Sequence, residues 1–251
     1  MKYHAVNNNR DEESSIDRVV ATNDATGLKP SGGSGADIPT MKTRKTLMRI
    51  GTWNVRTLYQ SGKFDNLLIE MESLKTDILG ISETRWTESG SIRRRNYTMI
   101  YSGGQEHEHG VGIVLKNNIA KCMIGYWPVN ERIIMCKIQA KPFNIVITQA
   151  YAPTADHSDE EIEFYENLDM TIKQVKSSDI LILMGYFNAK VGATTMSKSI
   201  GREGLGETNE RGERLTQSCE KHEFSIVKTL FIQPKDAFTP RKALEIFFEI
   251  R

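Results

Sequence analysis

Cysteine is scarce in this sequence, and long hydrophobic runs are missing from it. The 251 residues contain three cysteines, Cys122, Cys136 and Cys219, which are widely spaced and odd in number. This pattern excludes a disulfide framework or a cysteine zinc site and predicts reduced thiols. No apolar run approaches the roughly 18 to 20 residues that a membrane span requires. The polar start, MKYHAVNNNRDEESS, is unlike a signal peptide. We therefore expect an intracellular protein, nuclear or cytoplasmic, without membrane contact.

The sequence also lacks an excess of charge of one sign. Its 33 Lys and Arg balance 32 Asp and Glu, so the formal net charge is +1. This balance excludes nucleic-acid binding by bulk charge and leaves only local patches. One such patch combines Lys42, Arg44, Lys45 and Arg49. It suits an import signal or a phosphate contact, but a solvated linker end is the simpler interpretation.

Hydrophobic periodicity divides the chain into three parts. Residues 1–46 lack periodicity and contain the Gly/Ser-rich stretch 29–35, so we expect a disordered tail and linker there. Residues 47–235 carry the periodic segments and form the predicted domain. Residues 236–251 are expected to be a divergent C-terminal tail.

Within the domain, strands outnumber helices. Apolar residues at helical spacing predict one helix over 62–75, and a capping box at Ser158 and Glu161 opens a second helix to about residue 176. A third helix is expected over 211–221. Predicted strands cover 47–55, 77–83, 97–101, 110–115, 119–126, 132–139, 143–151, 179–185 and 224–227. This order predicts two packed sheets with helices outside.

Polar residues follow several of these strands. Asn54 and Glu83 end the first and third segments, Tyr151 ends a hairpin strand, and Tyr186 and Asn188 follow the strand 180–185. Each alone is more simply a cap or turn residue. Together they indicate a ligand site, because such sites gather where strands end side by side.

Six motifs carry a resemblance to a known family. In chain order they are Gly51–Arg56 (GTWNVR), Gly80–Trp86 (GISETRW), Tyr101–Gly104 (YSGG), Gly110–Ile113 (GVGI), Tyr151–Thr154 (YAPT) and Gly185–Gly192 (GYFNAKVG). The chain resembles the endonuclease/exonuclease/phosphatase superfamily, most closely the apurinic-type endonuclease domain of LINE-like retrotransposons and of craniofacial development protein 2-like proteins. The resemblance implies an α/β fold, a four-layer α-β-β-α sandwich of the DNase I-like type, incomplete at the C-terminus.

The resemblance also implies roles for individual residues. Glu83 would bind Mg²⁺, and Asn54 would steady the metal and the phosphate. Tyr151 would hydrogen-bond the scissile phosphate, and Asn188 would orient it. Asn209 would be a further phosphate contact. The chemistry is sound in itself, because a hard cation and neutral donors lower the barrier to attack on an anionic phosphodiester.

Two departures from the family pattern bear on activity. Tyr186 stands where the family motif Gly-Asp-Phe-Asn has its catalytic Asp. An ordinary phenol has a pKa of about 10 against about 3.9 for Asp, so Tyr is a poor substitute as a base. The family's C-terminal Ser-Asp-His motif has no match after position 200. The pair Asp156-His157 lies in a loop and is expected to be a decoy.

Three lesser candidates are interpreted structurally. Arg93, Arg94 and Arg95 suit a phosphate contact, but a solvated loop between strands is the simpler reading. His107 and His109 are expected in a polar turn and not at a metal. Trp53 and Trp86 are expected in the core.

These observations leave three functions open. The first is a retrotransposon-derived endonuclease-like protein. The resemblance implies DNA as its partner and Mg²⁺-dependent phosphodiester hydrolysis as the family activity. This chain would bind Mg²⁺ weakly and be catalytically inactive, a pseudoenzyme. The alternative is a non-catalytic module that binds nucleic acid or a protein. An active phosphatase or lipid diesterase fits less well, because those enzymes also need the missing Asp and His.

Overall fold

Thirteen strands and four helices make up the described part of the chain. The structure is a computed structural model, which describes residues 38–42, 48–154, 158–193, 197–230 and 246–248. The strands are β1 (Met41–Lys42), β2 (Ile50–Asn54), β3 (Ile78–Ser82), β4 (Ser89–Arg94), β5 (Tyr97–Ser102), β6 (Val111–Lys116), β7 (Met123–Asn130), β8 (Ile133–Ile138), β9 (Ala140–Lys141), β10 (Ile145–Tyr151), β11 (Ile180–Tyr186), β12 (Ser225–Ile226) and β13 (Ile246–Phe248). The helices are α1 (Lys63–Ser73), α2 (Asn117–Ala120), α3 (Ser158–Lys173) and α4 (Glu210–Lys221).

The strands form two large mixed sheets. The first has the order β2-β3-β6-β5-β4, and the second has the order β12-β13-β11-β10-β8-β7. In the first sheet β2 and β3 run parallel, and in the second β10 and β11 run parallel. Parallel neighbours end at the same edge of a sheet, so each pair presents its terminal polar residues together. These two edges set the position of the candidate site.

The two sheets pack face to face over an apolar core. Ile78, Ile113 and Leu115 come from the first sheet, and Ile134, Ile147 and Met184 come from the second. Each of these side chains is almost fully buried. Strands β3 and β10 are buried along their whole lengths. Both faces of these strands are covered, one by the opposite sheet and one by helices, so neither face is polar as in a strand exposed to water.

Helices cover the outer faces of both sheets. Helix α1 buries Leu67, Leu68 and Met71 against the first sheet. Helices α3 and α4 bury Phe164, Leu168, Leu215 and Cys219 against the second. The order helix, sheet, sheet, helix is the predicted four-layer α-β-β-α sandwich, and this prediction is confirmed.

The C-terminal tail does not leave the edge of β11 open. Strand β13 lies between β11 and β12 and pairs antiparallel with both. Its Cα partners on β11 run from Ile182 to Met184. The divergent tail, which no strand was predicted for, therefore supplies an apolar β-forming segment that pairs with β11 over these three pairs.

Several local elements differ from the prediction. Arg93 and Arg94 lie in strand β4, not in a loop, and Arg94 binds Asp65 of α1 through two hydrogen bonds of 2.6 and 2.7 Å. The predicted strand over 119–126 is a single helical turn, α2, followed by β7. Met41–Lys42, inside the segment predicted as a tail, form β1 and pair with β9.

Other predictions fall on buried or undescribed residues. Cys122, Cys136 and Cys219 are free, as expected, and all three are buried. Burial raises the pKa of Cys136 to about 12. Trp53 and Trp86 pack against the α1 side of the first sheet, also as expected.

Some predictions concern residues outside the described structure. They are the pair Asp156-His157, the basic residues Arg44 and Lys45, and the Ser158 side chain. No described helix is long and apolar enough to cross a membrane.

Candidate functional site

The ends of four strands bring the predicted site residues together. Asn54 ends β2 and is the register partner of Ser82, which directly precedes Glu83. Tyr151 ends β10 and is the register partner of Tyr186 on β11. Since the first pair lies on one sheet and the second pair on the other, the site lies at the rim of the inter-sheet core.

Glu83 is the centre of a hydrogen-bonded cluster that joins the two sheets. Asn54 Nδ2 donates to Glu83 Oε1 at 2.6 Å, and the Tyr151 hydroxyl donates to the same oxygen at 3.1 Å. The other carboxylate oxygen, Oε2, lies 4.0 Å from Arg85 Nη2. Two neutral donors and one cation therefore hold the carboxylate in place.

The backbone is strained where these side chains are presented. Glu83 has a φ of 59° and Asn188 a φ of 52°, and Arg56 and Arg85 beside them have φ of 58° and 57°. Residues with side chains adopt this left-handed region at an energetic cost. Such strain persists where the surrounding structure enforces it and is commonly found at functional sites.

A buried glutamine behind the cluster was not predicted. Gln149 Nε2 donates to Ser82 Oγ at 2.9 Å, and Gln149 Oε1 accepts from Thr52 Oγ1 at 3.2 Å. A Cβ at Gly80 would collide with this amide, so glycine is required opposite it. Gln149 thus links β10 to β2 and β3 just before they deliver Tyr151, Asn54 and Glu83. Its position inside an otherwise apolar strand was the signal that could have found it.

Arg132 and His109 form a second unpredicted group beside Tyr151. The Arg132 guanidinium carbon lies 5.3 Å from the centre of the Tyr151 ring, within cation–π range. Arg132 Nη2 is 3.2 Å from His109 Nε2 and 3.2 Å from Glu160 Oε2. Burial and the Arg132 charge lower the pKa of His109. Arg132 therefore places a largely buried positive charge next to the cluster.

The Tyr151 phenol is held in its neutral, hydrogen-donating form. Burial raises its pKa to about 12, and the Glu83 charge and the hydrogen bond to Glu83 act in the same direction. Arg132 opposes them weakly. A donor that keeps its proton across the physiological range can hydrogen-bond an anionic oxygen.

Asn188 and Asn209 organise the loop after β11. Asn188 Nδ2 donates to the carbonyl of Ala152 at 2.9 Å, and Arg211 donates to the Asn188 carbonyl at 3.1 Å. Asn209 caps α4 by accepting from Gly212 N at 2.9 Å and also accepts from Lys190 N at 2.9 Å. Asn209 thus ties the loop to α4, and its expected phosphate contact stays a prediction.

Tyr186 points into the space between the sheets. It packs against the inter-sheet core, and its ring centre lies 6.4 Å from that of Tyr151 with the planes tilted by 33°. At this strand end, therefore, a partly buried aromatic ring stands where the related motif has a carboxylate.

The cluster offers a metal ion few oxygen atoms that are free of hydrogen bonds within it. The Asn54 amide oxygen accepts a hydrogen bond from Arg56 N at 3.0 Å. Its NH₂ group donates to Glu83, so Asn54 orients the carboxylate. Glu83 Oε2 is the oxygen that remains for an ion. Among the described residues, no three His, Cys, Asp or Glu side chains come together at metal-binding spacing. One carboxylate with an oxygen outside the cluster's hydrogen bonds is compatible with Mg²⁺, which keeps most of its waters in proteins, so Glu83 would hold such an ion.

Comparison with known proteins gives relatives for most of the chain. No family model matches it. It is 37% identical over 218 residues to craniofacial development protein 2 of Bos taurus, covering 84% of this chain and 37% of the relative. The same protein of Tragulus javanicus is 36% identical over 208 residues, covering 82% and 36%. The chain thus spans little more than a third of the curated relatives that it matches.

Solved structures share the fold at low sequence identity. The endonuclease domain of TRAS1, a telomere-specific non-LTR retrotransposon, has a TM-score of 0.53 at 15% identity and covers 80% of this chain and 84% of that one. An AP endonuclease from Archaeoglobus fulgidus has a TM-score of 0.51 at 16% identity, covering 80% and 86%. The human Nocturnin catalytic domain with bound sulfate has 0.52 at 11%, covering 80% and 81%. The chain is therefore a homologue of craniofacial development protein 2 over most of its length, with an endonuclease/exonuclease/phosphatase-type, DNase I-like fold.

Proposed function

We propose that this chain is a nuclease-fold domain that binds the phosphodiester backbone of DNA at the Glu83 cluster without hydrolysing it. A retrotransposon origin is part of the proposal and is supported by the order of the six motifs. The observation that carries the proposal is the joint presentation of Glu83, Asn54 and Tyr151 at one strained rim, next to Tyr186.

Binding is supported by the electrostatics of the rim. Tyr151 is a neutral donor, and Arg85 and Arg132 place two guanidinium groups near the cluster. Guanidinium groups suit phosphate because their planar N–H groups match its oxygens. Glu83 opposes an anion by itself. A Mg²⁺ ion on Glu83 Oε2, when bound, would neutralise charge on the phosphate, so binding is expected to be stronger with Mg²⁺ than without it.

The absence of hydrolysis is expected from Tyr186, one of the two departures from the family pattern. Phosphodiester attack needs a base or an anionic group that activates the water. The related motif supplies an Asp at this strand end, whereas Tyr186 supplies a ring that packs against the core. The residues of this chain therefore bind and orient a phosphate but do not activate a nucleophile.

Binding is tested by fluorescence anisotropy with a labelled duplex that contains one abasic site, in Mg²⁺. We expect saturable binding, with the label still on full-length strand after denaturing electrophoresis. Tyr151→Phe should weaken binding, because it removes the hydroxyl that donates to Glu83 and that would turn its proton to a bound phosphate oxygen. Equal binding by Tyr151→Phe would contradict the proposed site, because the DNA would then bind elsewhere. No binding by the natural chain would contradict the proposal and favour a protein as the partner.

A further inference from the structure

An exposed aromatic pair lies beside the Glu83 cluster. Tyr59, in the segment that follows β2, has 64% of its surface exposed, more than any other exposed large hydrophobic side chain of the described structure. Its ring centre lies 4.4 Å from that of His107, with the planes tilted by 52°. His107 is also exposed. Two rings held together in water offer an open π surface, which the site described above does not use.

Both rings are fixed in place by the backbone around them. Leu58 is buried and its N donates to the Thr84 carbonyl at 2.9 Å, while Tyr59 N donates to Thr57 Oγ1 at 3.0 Å. His107 Nδ1 lies 2.8 Å from the carbonyl of Arg85. Because a carbonyl only accepts, Nδ1 carries the proton in this contact. The pair is therefore ordered in advance of any ligand, which lowers the entropic cost of binding.

The pair is continuous with the cluster. Thr84 and Arg85, which hold the two rings, directly follow Glu83, and the exposed Arg56 is bound through its N to the side chain of Asn54 at 3.0 Å. Arg85 contacts His107 through its carbonyl and Glu83 through its guanidinium, so a strand whose phosphate lay at Glu83 would run next to these rings.

Charge does not explain the surface by itself. Arg56 and Arg85 are positive, but Glu106 and Glu108 flank His107 and are exposed. These two carboxylates offset the two arginines around the ring pair, so stacking, and not charge, is what this part of the surface can add to binding. Stacking on a preformed aromatic surface is how proteins hold unpaired bases without reading sequence.

The geometry points to a stacking subsite, formed by Tyr59 and His107, for one unpaired base of a nucleic-acid strand. This inference rests on the proposed function, since it places the strand's phosphate at the Glu83 cluster. The subsite favours single-stranded or locally unpaired nucleic acid over a closed duplex, whose bases are already stacked on each other.

The test compares two strands that differ only in their bases. Anisotropy is measured for the full chain with an oligothymidylate of about twelve nucleotides and with an abasic strand of the same phosphate count. One stacked base contributes about 1 to 3 kcal/mol by alanine substitution, which corresponds to roughly 5- to 150-fold in affinity. Tyr59→Leu should weaken oligothymidylate binding within this range and leave the abasic strand unchanged. Tyr59→Phe, which keeps the ring, should bind both strands like the natural chain.

The outcomes separate this inference from the proposed function. If both strands bind and weaken with Tyr151→Phe, but neither responds to Tyr59→Leu, the phosphate site stands and the stacking subsite is refuted. If Tyr59→Leu weakens both strands equally, Tyr59 has a structural role and the subsite is again refuted. If neither strand binds the natural chain, the proposed function and the inference both fall.

Discussion

Tyr151 and Tyr186 are register partners on the parallel strands β10 and β11, with ring centres 6.4 Å apart. One phenol donates to Glu83 at 3.1 Å, while the other packs against the inter-sheet core. Two neighbouring strand ends therefore present two aromatic rings. In the related motif the second position carries a carboxylate, so the proposed function assigns phosphate binding to Tyr151 and the loss of water activation to Tyr186.

Replacing Tyr186 by Asp should not produce a nuclease. The substitution returns a carboxylate to the strand end, but catalytic groups that act as a unit are strongly non-additive, so one member restores little. The sequence has no Asp-His pair after position 200 to serve as its partner. We expect Tyr186→Asp to release no more labelled product from an abasic duplex in Mg²⁺ than Glu83→Ala does. A chimera that adds both the Asp and a Ser-Asp-His segment should cleave. Cleavage by Tyr186→Asp alone would show that Tyr186 was the sole defect.

The Tyr151 phenol should titrate at a higher pH than an ordinary tyrosine. Burial and Glu83 raise its pKa to about 12, so the absorbance difference between the natural chain and Tyr151→Phe should develop near pH 12. The unfolded phenol ionises near pH 10. Its contribution to stability is therefore complete below about pH 10 and is lost as the pH rises through about 12. A difference that develops near pH 10 would mean that Tyr151 is exposed and does not contact Glu83.

Gln149 should matter more to stability than its neighbour Thr148. Gln149→Leu leaves the buried Thr52 and Ser82 hydroxyls without this partner, which should cost about 1 to 3 kcal/mol in the free energy of unfolding. The Thr148 hydroxyl is buried and has no hydrogen-bond partner in the described structure. Thr148→Val therefore serves as a matched control that should leave stability unchanged or raise it. Urea unfolding measures both, and equal losses would argue against an inter-sheet link through Gln149.

The sequence predicted long buried elements well. Strand β3 and helix α1 were found to within two residues at each end, because five consecutive buried residues and a helical apolar stripe are strong signals. Strand β4 was missed, because SGSIRR contains one apolar residue and pairs on one side only, with β5. Strand β13 was missed because its place depends on the ladder that β11 offers, which no local pattern encodes.

The candidate site was predicted in part. Asn54, Glu83 and Tyr151 came together because each follows a buried strand and parallel neighbours end at the same edge. Arg132 and His109 were missed as members of the site, since their contact joins the start of β8 to the loop before β6. Which loops meet across two sheets is a tertiary property, and residue types alone do not specify it.

The central claim is that this domain holds a phosphodiester but does not break it, and plasmid nicking tests that claim most directly. Supercoiled DNA is incubated with the purified chain in Mg²⁺, with Glu83→Ala as the matched control, and the nicked fraction is followed by agarose electrophoresis. We predict equal, background nicking by both proteins. Robust nicking by the natural chain that Glu83→Ala abolishes would show that Tyr186 is compatible with catalysis and would contradict this account.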